Sequence, residues 1–180
     1  INKSGTNSGL YEMTIDGNTT YAMSDDYNTT LGGTWDATML TYADVQAGAG
    51  KFNLSPGAAV KYSRAGYLFS TLDFSATLSK TAEKWNALVN HVIWNVMGSG
   101  PSLNNSSVNG ESSKSLYSLV TNGSYDNYDW SNTMVVYTAG ALSQEFLAPL
   151  PPIATPIPST LFLFGSMVVG FLGFATRKRI

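Results

Sequence analysis

Alternating apolar and polar positions open the chain. Leu10 to Ile15 and Thr19 to Met23 read as two strands on either side of Asp16-Gly17-Asn18, a turn composition suited to a tight hairpin. Asp25-Asp26 to Gly33 is rich in turn formers and reads as a loop. Thr34 to Tyr42 alternates again: Trp35, Ala37, Met39 and Thr41 fall on one face and Thr34, Asp36, Thr38 and Leu40 on the other, which predicts a strand. The period then lengthens. After the Gly- and Pro-punctuated stretch from Gly48 to Gly57, Pro56 opens a predicted helix reaching about Leu72, with Val60, Ala65, Leu68 and Phe69 at helical spacing. Ser79 to Met97 is the clearest helix: Ser79 is placed as its N-cap and Glu83 lies in the first turn. Trp85, Leu88, Val89, Val92, Val96 and Met97 share one face, and Gly98 to Gly100 with Pro101 stop the helix. Trp94 points away from that face, so either the helix is buried on two sides or Trp94 is a contact residue. Leu103 to Glu111 reads as a loop, Ser112 to Val120 as a short helix, and Thr121 to Trp130 as a Gly/Asn/Asp/Tyr loop. Thr133 to Thr138 and Leu142 to Leu147 read as closing strands joined at Ala139-Gly140. Pro149, Pro151, Pro152, Pro156 and Pro158 then make 148–158 a stiff, extended spacer.

The pattern changes once more at the carboxyl end. From Leu161 to Ala175 no residue is charged and only Ser166 has a polar side chain. A helix over 159–176 would be about 27 Å long, against a hydrocarbon core of about 30 Å, so it reads as a short transmembrane helix. Arg177, Lys178 and Arg179 follow directly, and the positive-inside bias puts this tail of 177–180 in the cytoplasm and residues 1 to about 158 outside, 1–147 being the exported domain. Ser166, Gly170 and Gly173 lay small residues along one side of the span, a surface on which another helix can pack, although glycine is also common in membrane helices generally.

Composition narrows the compartment and the chemistry. The 180-residue length suits one domain plus an anchor. There is no Cys, which excludes disulfides and thiolate metal sites. Charged residues make up only 12% and net charge is −2; setting the tail's cations apart leaves the rest more acidic still. With no basic patch outside the tail, nucleic acid is a poor partner. The first residue is Ile1 rather than Met, read as a removed signal peptide or a missing start.

The Pro-x-Pro at 156–158, the short Phe/Leu/Gly-rich span and the terminal Arg-Lys cluster together resemble the PEP-CTERM sorting signal of Gram-negative bacteria. That resemblance implies export through the inner membrane and, often, processing by an exosortase; here Ile157 stands where the commoner signal has Glu. A second resemblance covers Thr20 to Met97. YAMSDDYNTTLGGTWDATMLTY, AGYLFSTL and NHVIWNVMG look like exported domains related to thioester domains. In those, a Cys before an acidic pair condenses with a Gln four residues before the Trp of an Ile-Trp helix. The matching positions here hold Ser24 and Asn90, which cannot form a thioester. The resemblance therefore implies a scaffold without that chemistry, in which Ser24 and Asn90 could hydrogen-bond instead.

Other constellations are sparse. His91 is the single histidine; a triad of Ser24, His91 and Asp25 has no supporting spacing, and zinc lacks ligands. Asp25, Asp26, Asp126 and Asp129 are candidate calcium ligands, although their spacing matches no established loop and solvated turn acids explain them equally. Tyr125, Tyr128 and Trp130 form an aromatic cluster suited to contact with proteins or sugars, or else to covering the edge of the core. The expected molecule is an α+β domain, mainly an antiparallel sandwich or barrel with two packed helices, followed by the spacer and one membrane helix. The expected role is non-catalytic, without a cofactor or small-molecule substrate. It is a structural subunit of a larger membrane assembly, an energy-transducing complex being one possible host, with other membrane proteins and the bilayer as partners. The alternative is a sorted surface or matrix protein acting in adhesion.

Overall fold

The structure is a computed structural model in which residues 8–27, 36–75, 79–139 and 144–151 are described. The predicted span, with Ser166, Gly170 and Gly173, the tail of Arg177, Lys178 and Arg179, and the spacer from 152 onward lie outside the described residues. Among the described residues, no helix is long and apolar enough to cross a membrane.

Strands β1 (Leu10–Ile15) and β2 (Asn18–Ser24) form the expected hairpin. Ile15 pairs with Asn18, so the loop is only Asp16 and Gly17, at φ 49° and 80°. Two consecutive left-handed residues match the twist of the flanking strands, which is why Asp-Gly serves here. Strand β3 (Thr38–Leu40) is shorter than the 34–42 run predicted, because Thr41 starts helix α1 (Tyr42–Gln46) instead. Thr41 Oγ1 accepts the Asp44 N–H at 3.3 Å, and Asp44 Oδ2 accepts the Thr41 N–H at 2.8 Å. This reciprocal box satisfies two otherwise orphaned donors and outweighs two-residue alternation over so short a stretch.

Helices α2 (Ala58–Ser70) and α3 (Lys80–Met97) follow the predicted spans closely. Ser79 caps α3 by accepting the Ala82 N–H at 3.1 Å, and Gly98 ends it in the left-handed region at φ 98°. The two-sided burial of α3 decides the position of Trp94, which is 4% exposed and packs against Tyr27. A small hairpin, β4 (Ser107–Val108) and β5 (Glu111–Ser112), turns at Asn109-Gly110 and leads into α4 (Ser113–Val120). Strands β6 (Met134–Thr138) and β7 (Phe146–Pro149) complete the domain.

The sheet has the order β1-β2-β7-β6-β3 and is antiparallel throughout. The last strand in sequence is thus the central one in space. It includes Ala148 and Pro149, which the sequence reading assigned to the spacer; Pro149 closes the ladder opposite Met134. The fold is α+β as expected, but the described residues make a five-stranded sheet backed by helices, with the β4–β5 hairpin as a separate two-stranded sheet, rather than a sandwich or barrel. The layer facing the sheet is built from α2 and α3, and α4 packs on α3. Met23, Leu40, Met134, Val136 and Leu147 join Leu68, Phe69, Val89, Val92 and Ile93 in the main core. The intervening strand positions, Ala22, Val135, Phe146 and Ala148, form a smaller cluster with Tyr11, Met13 and Tyr137. Period-two alternation assigns these sets to opposite faces.

Candidate functional site: a buried polar node

The end of β2 and the start of β7 place charge where the core should be apolar. Ser24 pairs with Phe146, and the Asp25 N–H continues the ladder to the Glu145 carbonyl at 3.4 Å. In that register Asp25 faces Glu145, and Asp26 faces Gln144. Asp25 shares the parity of Met23, and Glu145 that of Leu147, so both carboxyls belong to the core face. Each is 0% exposed. Like charges directly opposite each other are unfavourable in a sheet, more so without water.

A retained proton is the physical remedy. Burial, then the neighbouring Glu145 carboxylate and its hydrogen bond, hold the Asp25 carboxyl well above the usual carboxylate range. Among the described residues, no donor from another residue reaches either Asp25 carboxyl oxygen. Asp25 must itself supply the proton for a bond to Glu145. Glu145 is otherwise well supplied: Oε1 accepts the Tyr62 hydroxyl and Oε2 accepts the Lys51 backbone N–H at 2.8 Å. Burial, then the neighbouring Asp25 and Glu145 carboxyl groups, push the Tyr62 hydroxyl far upward, so it stays a donor.

Beside this pair the chain is clamped by polar side chains. Asn90, 0% exposed on α3, donates Nδ2 to the Ser24 carbonyl at 2.6 Å and accepts the Gly9 N–H on Oδ1 at 2.9 Å. One amide thus ties α3 to the end of β2 and to the residue preceding β1. Ser24 Oγ donates to the Asp26 carbonyl at 2.8 Å and accepts from Gln144 Nε2. Gln144 Nε2 also donates to the Asp26 carbonyl at 2.7 Å. The Asp26 carboxylate meets Lys51 Nζ at 2.5 Å, with the two side chains 6% and 12% exposed.

The structure therefore brings Ser24 and Asn90 into contact, through the Ser24 carbonyl rather than its hydroxyl. It does not assemble a triad: His91 Nε2 meets the Pro101 carbonyl at 3.2 Å, and among the described residues no hydrogen bond joins His91 to Ser24 or Asp25. The candidate calcium ligands sit in separate environments. Asp25 is fully buried with its carboxyl held well above the usual range by burial and Glu145, Asp26 is paired with Lys51, and Asp126 Oδ1 takes Arg64 Nε at 2.7 Å. Asp129 Oδ1 accepts the Ser131 N–H at 2.9 Å, and these bonds hold its carboxyl below the usual range. Among the described residues, no group of three or more His, Cys, Asp or Glu is placed to hold a metal ion.

The aromatic loop divides. Tyr125 stacks on Tyr67 of α2 with ring centres 3.7 Å apart, and Tyr128 meets the same ring edge-on at 5.7 Å. Both are half-buried against the core margin. Trp130 is not a surface contact at all; it is 0% exposed, edge-on to Tyr42, and fills the space that Gly66 leaves open on α2. A Cβ at Gly66 would lie 2.6 Å from the Trp130 side chain, so the glycine is what admits the indole.

Sequence reasoning missed Lys51, Tyr62, Gln144 and Glu145. The available signal was parity: a Glu two residues before a core Leu, in a predicted strand, has no apolar face to spare. Two hollows, of about 190 and 450 Å³, are lined by residues of the β3, α1 and β6 region. No side chain of the node lines either. No family model, curated protein or solved structure matches this chain.

Proposed function

We propose that the chain is an exported bacterial surface protein, delivered by its carboxyl-terminal sorting peptide, whose domain acts without catalysis in adhesion or in a surface matrix. The observation that carries this reading is the juxtaposition of Ser24 and Asn90. These are the two positions at which the resembling domains hold their reactive Cys and Gln. Their contact supports a scaffold of that kind, in which serine and asparagine have replaced the reactive pair with hydrogen bonding. The node's side chains face the core and each other, which suits rigidity better than turnover. The peptide of 156–180 supports delivery to an outer compartment.

The test is to fractionate cells expressing the full chain and to measure its intact mass. On this reading the protein is accessible to added protease on intact cells, and the mature form lacks the Arg177–Arg179 tail. Cytoplasmic protein with an intact tail would overturn it. A second reading, a structural subunit of a membrane assembly, is favoured by the small residues Ser166, Gly170 and Gly173. There the tail is retained, partners co-purify in mild detergent, and Gly170→Leu weakens that co-purification. A full-length protein running alone as a monomer would remove the second reading.

A further inference from the structure

We infer that Lys51 and Asp26 are joined by a self-formed amide between Nζ and the side-chain carbonyl carbon, a cross-link tying the end of β2 to the loop before α2. Their geometry is closer than an ordinary ion pair requires. Nζ lies 2.5 Å from Oδ2, whereas a charge-assisted N–H···O bond is usually about 2.7–2.9 Å. The two side chains are nine-tenths withdrawn from water. Both reactants are also fixed through their backbones. The Lys51 N–H is held on Glu145 Oε2, and the Asp26 carbonyl takes donors from Ser24 and Gln144. Such clamping turns a condensation that is negligible between free side chains into one favoured by proximity.

The chemistry closes without an outside reactant. Within the pair, the ammonium passes a proton to the Asp26 carboxylate, giving an amine and a carboxylic acid. The amine lone pair attacks Cγ, forming the C–N bond and a tetrahedral centre. The hydroxyl on that centre leaves as water, taking one proton from the attached nitrogen; the C–O bond breaks, the carbonyl reforms, and the nitrogen keeps its one remaining proton. Ammonium plus carboxylate becomes amide plus water, and nothing is oxidised or reduced. Two buried charges disappear, which removes the desolvation penalty that an unreacted buried pair would keep. In a chain without cysteine, this bond occupies the structural role of a disulfide. It does not rest on the export reading.

The experiment is intact-mass spectrometry of the purified full chain under denaturing conditions, followed by tryptic mapping. The expected result is a mass lower than the sequence requires by one water, with Lys51 resistant to trypsin and a branched peptide joining it to Asp26. In Lys51→Arg the missing water returns. A wild-type mass equal to the sequence, with free cleavage after Lys51, would overturn the proposal. So would a water loss mapped to Asp16-Gly17, where a succinimide gives the same mass.

Discussion

The Asp25 node and the Tyr125 loop begin from similar sequence. Each combines acids with aromatic or hydroxyl residues beside turn formers, and each invited a reading as a solvent-facing site. The structure separates them by depth. The node lies at the join of β2 and β7, where strand parity turns carboxyls inward and the chain supplies partners for them. The loop lies at the margin of α2, where its tyrosines stack on Tyr67 and only Trp130 enters the core. Position in the sheet, more than residue type, decides whether polar chemistry is exposed or enclosed. In the node, polar groups answer one another and cannot be removed singly. At the loop they are nearly independent.

The sharpest way to break this comparison is at Trp130. Were it a contact residue, Trp130→Ala would leave stability unchanged; as a buried anchor its loss should cost about 3–5 kcal/mol by chemical denaturation. Gly66→Ala tests the same packing from the other side. Helix propensity alone would favour alanine by about 1 kcal/mol. The new Cβ would meet the indole at 2.6 Å, so net destabilisation is expected.

Next in size is Glu145→Ala. It strands the Tyr62 hydroxyl and the Lys51 N–H, each costing about 1–3 kcal/mol when buried without a partner. Glu145→Gln keeps an acceptor and should lose less. Equal losses in the two variants, measured by urea titration, would mean that the node's hydrogen bonds contribute little.

Much of this architecture was legible in the chain. The β1–β2 hairpin, α2, α3 with its Ser79 cap, and α4 follow from period, caps and turn residues, which are local causes. The misreadings share another origin. Thr41-x-x-Asp44 is a capping signal that competes with strand alternation across the same residues, and the cap prevails. The insertion of β7 between β2 and β6 is a long-range pairing, so neither the five-stranded order nor the inclusion of Ala148 and Pro149 was readable locally. Asp25, Asp26 and Asn90 were visible as candidates, yet their actual neighbours Lys51, Tyr62, Gln144 and Glu145 come from three other segments. Only tertiary register gathers them.

The pH response of the node is a smaller but more specific effect. Asp25 keeps its proton in the folded chain because of burial first and Glu145 second. An unfolded aspartate releases its proton near pH 4, so above about that pH the folded state binds more protons than the unfolded one. This contribution is fully present below that pH. It falls by about 1.4 kcal/mol per pH unit as pH rises, until the folded group also ionises. Asp25→Asn removes the ionisation while keeping a donor for Glu145. Its stability should therefore gain on wild type between acidic and neutral pH, read from urea midpoints across that range. Parallel pH profiles for the two proteins would show that Asp25 ionises freely in the fold.

The smallest effect is expected at the loop, and its smallness is informative. Arg64 and Asp126 are paired at 2.7 Å, but their side chains keep 21% and 31% of their exposure. Water screens such a pair, so a double-mutant cycle with Arg64→Ala and Asp126→Ala should give a coupling below about 1 kcal/mol. Raising the salt should shrink it further. The Tyr67–Tyr125 stack should survive the loss of that pair, since aromatic contact contributes about 0.5–1.5 kcal/mol independently of charge. The Tyr67 hydroxyl supplies a probe: its hydrogen bond to Tyr125, then burial, push it up to about 12. Spectrophotometric titration should bring it down toward the ordinary tyrosine range in Tyr125→Phe and leave it unmoved in Arg64→Ala. A coupling as large as that expected for a buried ion pair, or a Tyr67 shift on losing Arg64, would make the loop a second interlocked node and dissolve the contrast in depth.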